Sequence, residues 1–569
     1  MLITNMNTNE IFYGSENINF FETNMTYCTY CGYPLFNSYH TAAKTIKTLK
    51  GIVKAKHVVK ECTNVQCISR QPKTRNFFYS EKFLSFTLPH CAIGIDITLY
   101  IGFHMHLKSQ SLDDVQKDLH LQGVDINRSS VYRHYERYLE FMAELSQQDI
   151  AEIKKEMEKN GGYILSIDAV YGIDSPRLLV CRDILSKKAL RTKLINSEDD
   201  AVVIEILTEV KAMFGVPLAI ISDMGTGISK GILTIFPDVK QQYCHFHFLK
   251  NLGKDLLEDE YQVIQQKNNN FKKKSKKLVK ICQNNIEKAF TNVTETKNQE
   301  INQTLKYLQE GLITFISKVP SGSGFPFDLP AVNYSLKVIT SKIFFDEIMT
   351  NISDKGLDSK LLSSLQDIQK ALNEYDSSDI QKNLNEIELL YGNFVQLRSI
   401  LENEDFSSNE IKNEIKSFLH LLKSQQNEHP MLEVIPTRLR KYWRNLFFCY
   451  DDKRIPRTNL DIEHSFNRLK RIKRKRTGVK IWPSYFTHEA RSLIQIENIT
   501  DAYKDDFSDS RFIEDFTAKI LLVSKEQLGK QSIIRDIDKS FLKSNYHRKI
   551  PLLEAELTFE KLADKMKQI

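Results

Sequence analysis

Two aspartates and a glutamate stand where metal-dependent chemistry could use them. Asp168 follows the apolar run YILSI, and Asp223 follows PLAIIS in the same way. Glu463 lies in TNLDIEHSFNRLK, where Ile462 and Phe466 have the spacing of a helix that packs on other structure. An aspartate is rarely buried without a partner, and a metal ion is one such partner. If the two runs are neighbouring parallel strands, their carboxylates lie close together, and the helix can bring Glu463 beside them.

Carboxylate oxygens suit Mg²⁺ or Mn²⁺, which are hard cations. Two such ions about 3.5–4 Å apart can activate a water or a 3′-hydroxyl and stabilise the leaving oxygen at phosphorus. The three acids therefore predict a site that could hold two such ions. The alternative is that two strands happen to end in aspartate before turns. Asp174, Asp183 and Glu489 compete for the role, but each lies in a polar or turn-like stretch or lacks the flanking pattern.

The residues from Gly161 to about 255 predict the core that positions the two aspartates. Three strand candidates are followed by a helix beginning near SEDD, a strand ending at Asp223, and a strand in VKQQY that runs into a helix. The order β-β-β-α-β-α-β is the core of the RNase H-like fold. Asp168 and Asp223 would end two strands of this sheet.

A long interval separates the second aspartate from the glutamate. Asp168 and Asp223 are 55 positions apart, whereas Asp223 and Glu463 are 240 apart. Residues 254 to about 440 are rich in Lys, Asn, Gln, Glu and Leu at helical spacing and contain no clear series of strands. We therefore expect a helical domain inserted before the last helix of the core.

These segments resemble the DDE transposases of the Mutator-like group and related prokaryotic insertion-sequence enzymes. In that group the first aspartate follows an apolar strand, as in YILSIDAVYG, and the second ends another, as in AIISDMGTGI. A Cys-x2-His motif follows, matched here by Cys244 and His247, and the glutamate helix carries an upstream asparagine and a basic tail, matched by Asn459 and Lys470. The resemblance covers roughly residues 160–260 and 455–480 in detail. It implies metal-dependent cleavage of double-stranded DNA at element ends, followed by strand transfer into a target.

Cys244 and His247 are three positions apart, so on a helix they share a face. A two-ligand metal clip and a structural role beside the sheet are both open for this pair. Four other cysteines form two close pairs, Cys28 with Cys31 and Cys62 with Cys67. Two such pairs can build a tetrahedral Zn²⁺ site in a zinc ribbon that binds DNA or a partner. The alternatives are four free thiols, or a site in which His40 or His57 replaces a cysteine.

Two segments have the pattern of DNA-binding surfaces. Predicted helices at 111–121 and 128–142, joined by a short turn containing glycine, suit a helix-turn-helix whose second helix enters the major groove; the alternative is an ordinary helical hairpin. Its DNA-facing residues would be Arg128, Ser129, Ser130, Tyr132 and Arg133. RLKRIKRKR places seven basic residues in nine directly after Glu463 and suits phosphate contact; the alternative is a solvated charged face. The basic residues are Arg468, Lys470, Arg471, Lys473, Arg474, Lys475 and Arg476.

The expected fold class is a multidomain α+β protein. An RNase H-like catalytic core with a large helical insertion follows an N-terminal zinc ribbon and a helix-turn-helix. The expected segments are a flexible N-terminus (1–25), the zinc ribbon (26–75), the helix-turn-helix region (76–158), the first part of the core (159–255), the insertion (256–445), the last part of the core (446–500) and a helical C-terminal region (501–569).

Bulk properties narrow the class of protein. The chain has 569 residues, a net charge of +7 and nine scattered cysteines, which does not suit a disulfide-rich secreted protein. It contains no apolar run long enough for a membrane helix, and we expect a soluble, cytoplasmic or nucleoid-associated protein that works as a homo-oligomer. Two rival functions stay open: a non-catalytic DNA-binding protein derived from a transposase, and an RNase H-like nuclease that cuts without joining.

Overall fold

The computed structural model of the protein is a mixed α+β structure with two sheets. The described residues are 18–72, 75–80, 83, 86–87, 91–170, 177–290, 303, 306–314, 318, 324–352, 359–375, 377–478, 484–503 and 509–520. Asp174 lies outside them, as do most of the expected flexible N-terminus and most of the expected C-terminal region. The chain divides into two compact units, residues 1–241 with 459–569, and residues 242–458.

The first unit begins with a four-stranded sheet built around one long strand. Its strands are β1 (Ile18–Glu22), β2 (Leu35–His40), β3 (Lys44–Thr48) and β4 (Gly51–Cys62). Strand β4 pairs with all three others, parallel to β1 and antiparallel to β2 and β3. Alternate residues of β4 face a small core with Phe21, Ile46 and Phe83. The end of β4 thus carries Cys62 to the same end of the sheet as the start of β2.

Four helices follow, and their termini obey local capping rules. They are α1 (Ile95–His106), α2 (Leu112–Leu121), α3 (Arg128–Gln148) and α4 (Ile150–Lys159). Ser111 forms a reciprocal capping box with Asp114 at the start of α2. Gly123 ends the turn after α2 with a φ of +80°, a conformation that glycine adopts readily. The Asn127 side chain accepts the Ser130 amide at 2.8 Å and so caps α3.

The second sheet has the element order expected from the sequence. Strands β5 (Ile164–Val170), β6 (Arg177–Asp183) and β7 (Lys188–Ile195) precede α5 (Asp200–Phe214), β8 (Ala219–Ser222), α6 (Thr226–Ile235) and β9 (Lys240–Tyr243). In space the strands run β7-β6-β5-β8-β9. Strands β5 to β7 are antiparallel neighbours, whereas β5 and β8 are parallel. The carboxyl ends of β5 and β8 therefore lie at one edge of the sheet.

After residue 459, the part of this unit that the structure describes contains the helices α14 (Leu460–Thr477), α15 (Ser484–Thr500) and α16 (Asp509–Ile520). Ile462 and Phe466 of α14 are buried in a core that also receives residues of α1, α3 and β6. Helix α15 lies against β7, where the Asn498 side chain exchanges two 2.7 Å hydrogen bonds with the backbone of Ala189. The Asn498 side chain thereby pairs with the backbone N–H and C=O of Ala189, which lies on the edge strand of the sheet.

The second unit begins with the end of β9, and its other regular elements among the described residues are helices. Its labelled helices are α7 (His245–Phe290), α8 (Pro330–Ile352), α9 (Ser359–Tyr375), α10 (Ser378–Glu402), α11 (Ser408–Gln425), α12 (Val434–Tyr442) and α13 (Phe448–Asp451). The His245 amide donates to the Arg457 carbonyl at 2.8 Å, and the His245 ring contacts the Leu446 carbonyl at 2.7 Å. The two ends of this 217-residue unit are therefore held together.

Among the residues that the structure describes, none of the helices combines the length and the low charge needed to cross a bilayer.

We expect Gly102→Ala to destabilise the protein, because a Cβ at this position of α1 would lie 2.1 Å from the Tyr138 ring of α3. Such overpacking typically costs about 1–3 kcal/mol. Gly392→Ala in α10 is the matched control, since no atom lies within 4 Å of its Cβ and helix propensity should favour alanine by roughly 0.5–1 kcal/mol. Urea unfolding of both variants measures the difference. Equal stabilities would contradict the close α1–α3 contact.

Candidate active site

Asp168 and Asp223 occupy adjacent positions at one edge of the second sheet. Ile167 of β5 pairs with Ser222 of β8 in parallel register, and each aspartate is the next residue along the chain. Asp168 has only 6% of its surface exposed, whereas Asp223 is half-buried and accepts the Gly225 amide at 2.9 Å. Two carboxylates thus meet where the parallel strands end.

Glu463 lies in the first turn of α14, on the side of the helix that faces the sheet. Carboxylate oxygens of Asp168 and Glu463 lie within 4.8 Å of one another. These two residues are 295 positions apart in the chain. The structure therefore brings Asp168 and Glu463 together, with Asp223 beside Asp168 on the neighbouring strand.

Asn459, which directly precedes α14, ties the start of this helix to β5. It is buried, and its side-chain oxygen accepts a hydrogen bond from the Ser166 hydroxyl. Its amide nitrogen donates to Asp168 Oδ2 at 3.4 Å. The family pattern had pointed to this asparagine without a role for it. The hydrogen bonds assign one: Asn459 orients the Asp168 carboxylate.

Burial and repulsion act together on Asp168. Burial, and then the negative charges of Asp223, Glu463 and Glu198, raise the pKa of this carboxyl to about 8. The charged groups that act most strongly on it are all carboxylates. An ion such as Mg²⁺ would supply the missing positive charge and stabilise the ionised form. The oxygen donors, their closeness and their shared negative charge thus fit a hard divalent cation.

Two of the competing acids, Asp183 and Glu489, make structural hydrogen bonds away from Asp168. Asp183 is fully buried and accepts the amides of Ile164, Leu185 and Ser186 at 3.1 Å, which closes the turn between β6 and β7. Glu489 accepts hydrogen bonds from the buried Tyr135 hydroxyl and from Arg476. Both acids therefore stabilise the fold at their own places.

A buried ion network fixes α14 against the sheet. The Arg182 side chain of β6 contacts Asp461 at 2.5 Å and Glu497 of α15 at 3.5 Å. Arg468 of α14 also pairs with Glu497. Residues from one strand and two helices are thus joined through two arginines and two acids. Because Asp461 is two positions from Glu463, the network holds the first turn of α14 in place.

The four N-terminal cysteines form one cluster. The sulfur atoms of Cys28, Cys31, Cys62 and Cys67 all lie within 4.8 Å of one another, with Cys28–Cys67 at 3.7 Å and Cys31–Cys62 at 3.4 Å. Zinc–sulfur bonds of about 2.3 Å place the sulfurs of a tetrahedral site roughly 3.8 Å apart. The cluster therefore has the dimensions that a four-thiolate zinc ion needs.

The thiols of the cluster differ in acidity. The Ser69 hydroxyl donates to Cys67 Sγ at 3.1 Å, and this hydrogen bond lowers the pKa of Cys67 to about 6. Burial raises the pKa of Cys62 to about 12. Zinc binds thiolates and releases their protons, so a metal ion would ionise both sulfurs.

Cys244 and His247 flank the first turn of α7. Cys244 is buried immediately before the helix, and His247 is half-buried within it. In the described part of the chain, Cys244 joins no group of three potential metal ligands. The choice between a metal clip and a structural role for this pair stays a prediction.

The proposed DNA-facing residues of the helix-turn-helix lie at the surface. Arg128, Ser129, Tyr132 and Arg133 are exposed, and Ser130 is half-buried. Arg128 pairs with Asp113 at 2.7 Å, but both side chains are more than half exposed. An ion pair of this kind contributes little stability and can open for a phosphate.

The basic run after Glu463 is only partly a surface. Lys470, Arg471, Arg474 and Lys475 are exposed. Lys473 has only 1% of its surface exposed. Arg468 pairs with Glu497, and Arg476 pairs with Glu489. The sequence suggested that all seven residues form one charged face. Lys473 does not belong to such a face, because it lies on the buried side of the helix.

We expect Cys31→Ser to lower the zinc content of the purified protein from about one ion per chain to well below half. Removing one of four thiolates leaves the ion with an incomplete tetrahedral set. Cys282→Ala, a cysteine outside the cluster in the helical unit, is the control and should keep its zinc. Elemental analysis after gel filtration measures both. A zinc-free wild-type protein would contradict the site.

Comparison with known proteins gives one match. Residues 182–320 match the family model described as Transposase, Mutator family. The matched segment begins in β6 and contains Asp223, Cys244 and His247, whereas Asp168 and Glu463 lie outside it. No curated protein matches the chain. The match confirms the resemblance found from the motifs, and it is consistent with a Mutator-like transposase.

Proposed function

We propose that this protein is a DDE-type transposase that cleaves DNA at the ends of an element and joins them to a target. The family match supports a transposase role and hence DNA-processing activity. The observation that carries the finer proposal is the approach of Asp168 and Glu463 to within 4.8 Å, with Asp223 on the neighbouring strand. Strand pairing and the contacts of Asn459 and Asp461 place these carboxylates side by side, and a divalent cation would offset their mutual repulsion.

We also propose that the second sheet is an RNase H-like core. Its strand order β7-β6-β5-β8-β9, with three antiparallel strands followed by parallel β8, supports this assignment. Residues 242–458 would then be the helical insertion between the second aspartate and the glutamate helix. The His245–Arg457 hydrogen bond supports this interpretation, because it holds the two ends of the segment next to each other, as expected for an insertion.

The residues divide the chemical work between them. Asp168, Asp223 and Glu463 would hold divalent ions, for which their oxygens and negative charge are suited. Bound Mg²⁺ or Mn²⁺ supplies electrophilic stabilisation of the attacking and leaving oxygens at phosphorus. Asn459 orients Asp168, and the network of Arg182 and Asp461 holds the turn that carries Glu463. The burial of Asp168 keeps bulk water away from one ligand and so strengthens its interaction with a cation.

Double-stranded DNA is the proposed substrate and target. The exposed start of α3 suits major-groove contact, and the exposed cations of α14 suit phosphates. The four-cysteine cluster would hold a structural zinc, since four thiolates leave no open position for chemistry. A homo-oligomeric assembly stays a prediction for this chain.

The two rival functions differ in what DNA they would produce. A domesticated DNA-binding protein would bind element ends without cutting, although the chain retains all three acids. A nuclease would cut without joining. Cleavage and strand-transfer products in one assay therefore distinguish all three functions.

We expect Asp168→Ala, Asp223→Ala and Glu463→Gln each to reduce cleavage by roughly 10²–10³-fold or more, while end binding stays nearly unchanged. Each variant removes a proposed cation ligand and leaves the proposed DNA-contacting residues of α3 and α14 unchanged. The measurement uses the full chain, Mg²⁺ or Mn²⁺, and DNA carrying the ends of its own element.

Asp238→Asn is the control for these variants, because Asp238 is exposed in the turn before β9 of the same unit. It should cleave and join like the wild type. Cleavage by Glu463→Gln at the wild-type rate would remove that residue from the site. Binding without cleavage by the wild type would favour the non-catalytic rival.

We expect Asp168→Asn to stabilise the protein at pH 8 when no divalent metal is added. The folded carboxyl, with a pKa of about 8 against 3.8 ordinarily, keeps a proton that the unfolded chain releases. The free energy of unfolding therefore falls as pH rises from about 4 to about 8, and asparagine removes that loss. The unfolding midpoint of the variant should exceed that of the wild type by roughly 5 °C at pH 8 and by much less at pH 4.

Asp183→Asn is the matched buried control, and it should destabilise the protein because it weakens the acceptor of three amides. Adding Mg²⁺ should raise the midpoint of the wild type and leave that of Asp168→Asn unchanged. A wild-type midpoint that ignores both pH and Mg²⁺ would argue against a cation site at these acids.

A further inference from the structure

The four-stranded N-terminal sheet carries a row of aromatic side chains interleaved with arginines. We call it the aromatic–arginine strip. Its members are Phe36 and Tyr39 of β2, Arg70 after the cysteine cluster, and Arg75, Phe77 and Tyr79 of the segment that follows. Nothing in the proposed cleavage chemistry uses these residues.

Ring contacts make the strip continuous. The rings of Tyr39 and Phe77 are 5.5 Å apart and nearly perpendicular, and those of Phe77 and Tyr79 are 6.4 Å apart. The Arg75 guanidinium lies 5.0 Å from the centre of the Phe77 ring. At the other end, the Arg70 guanidinium lies 5.6 Å from the Phe36 ring.

A buried acid fixes the two arginines. Glu61 of β4 pairs with Arg75 at 2.7 Å and with Arg70 at 3.7 Å. Phe36 is opposite Glu61 in the sheet, so the acid holds both guanidiniums beside aromatic rings. The strip is therefore pre-organised and loses little side-chain freedom when it binds a ligand.

The rings of the strip remain open to solvent. Tyr39 is 43% exposed, Tyr79 is 40% exposed and Phe36 is 38% exposed. A single exposed aromatic residue is ordinary, but a contiguous exposed group commonly marks a binding surface.

The charge of the chain is concentrated in the same module. Residues 18–80 contain nine lysines and arginines against two glutamates, a net charge of +7. The whole chain also has a net charge of +7, so its other residues sum to zero. A polyanion is the ligand that such a module attracts, with phosphates drawn to the lysines and arginines.

We propose that the aromatic–arginine strip binds a single-stranded stretch of DNA, with unpaired bases stacked on the exposed rings of Tyr39 and Tyr79. Exposed ring faces distinguish an unpaired strand from a duplex, because paired bases hide their faces within their own stack. Stacking on aromatic rings contributes about 1–3 kcal/mol per base and tolerates any sequence. The proposal deepens the proposed function, since breaking and joining strands exposes unpaired ends, and it rests on that function only for the choice of DNA.

The test compares single-stranded and double-stranded DNA on the full chain without divalent metal. Fluorescence anisotropy would measure binding of a labelled 15-nucleotide thymidine strand and of a duplex of equal length. We expect the double variant Tyr39→Leu with Tyr79→Leu to bind the single strand roughly tenfold more weakly or worse, and the duplex within about twofold. Leucine keeps apolar volume on the sheet but offers no ring for a base.

Two controls separate stacking from folding and from general charge. The double variant Tyr39→Phe with Tyr79→Phe keeps both rings and should bind the single strand like the wild type. Tyr307→Leu removes a still more exposed tyrosine, 63% exposed, from the helical unit and should have no effect. Zinc content and the unfolding midpoint of each variant show whether the module is intact.

A second measurement needs no variant. Ultraviolet crosslinking of the wild-type protein to a single strand that carries bromodeoxyuridine should attach DNA to peptides containing Tyr39 or residues 77–79. Crosslinks confined to other segments would overturn the proposal. So would equal weakening of single-strand and duplex binding by the leucine variant, or capture of a protein in place of the strand. Cleavage is not read in either experiment, so failure of the proposed catalysis would leave these outcomes interpretable.

Discussion

A buried negative charge governs the arrangement of the first unit. Asp168 lies almost wholly out of solvent at the end of a central strand, with three further carboxylates acting on it. Burial of an ionised group is unfavourable unless a proton, a hydrogen-bond donor or a cation compensates for it. Without a cation the fold relies on a retained proton and on the Asn459 amide, and with one it gains a strong electrostatic contact. The same residue is thus a cost to folding and, in the proposed site, the source of affinity for a cation.

Hydrogen bonds and ion pairs hold the acids around Asp168 in position. The turn that carries Glu463 is bound to the sheet twice, once through Asn459 at its start and once through Asp461 to Arg182. Helix α15 contributes Glu497 to the same network and covers the sheet edge with Asn498. Farther along α14, Arg476 joins Tyr135 of α3 through Glu489. The helix proposed to read DNA and the helix that carries the glutamate are consequently parts of one packed body.

Local patterns foretold much of this arrangement, and long-range pairing could not be foretold. Strands β5 and β8 were evident as short apolar runs, and the element order of the second sheet followed from the same local patterns. The cysteine spacing likewise predicted the cluster. By contrast, the sequence alone made RLKRIKRKR one basic surface, because the buried position of Lys473 and the glutamate partners of Arg468 and Arg476 depend on how α14, α15 and the sheet pack. No local sequence pattern predicts the aromatic–arginine strip, because β2 and residues 75–79 come together only in the folded sheet.

The chain order of the proposed site also has a consequence in time. Asp168 and Asp223 are translated before Glu463, which follows 240 residues after Asp223. At about 5–20 residues per second, translation takes roughly 12–48 s to cover that interval. During this time the sheet can form with only two of its three acids, so a nascent or truncated chain would hold cations weakly. Separation of the last proposed ligand from the first two would thus delay competence for cutting until the interval between them has been translated.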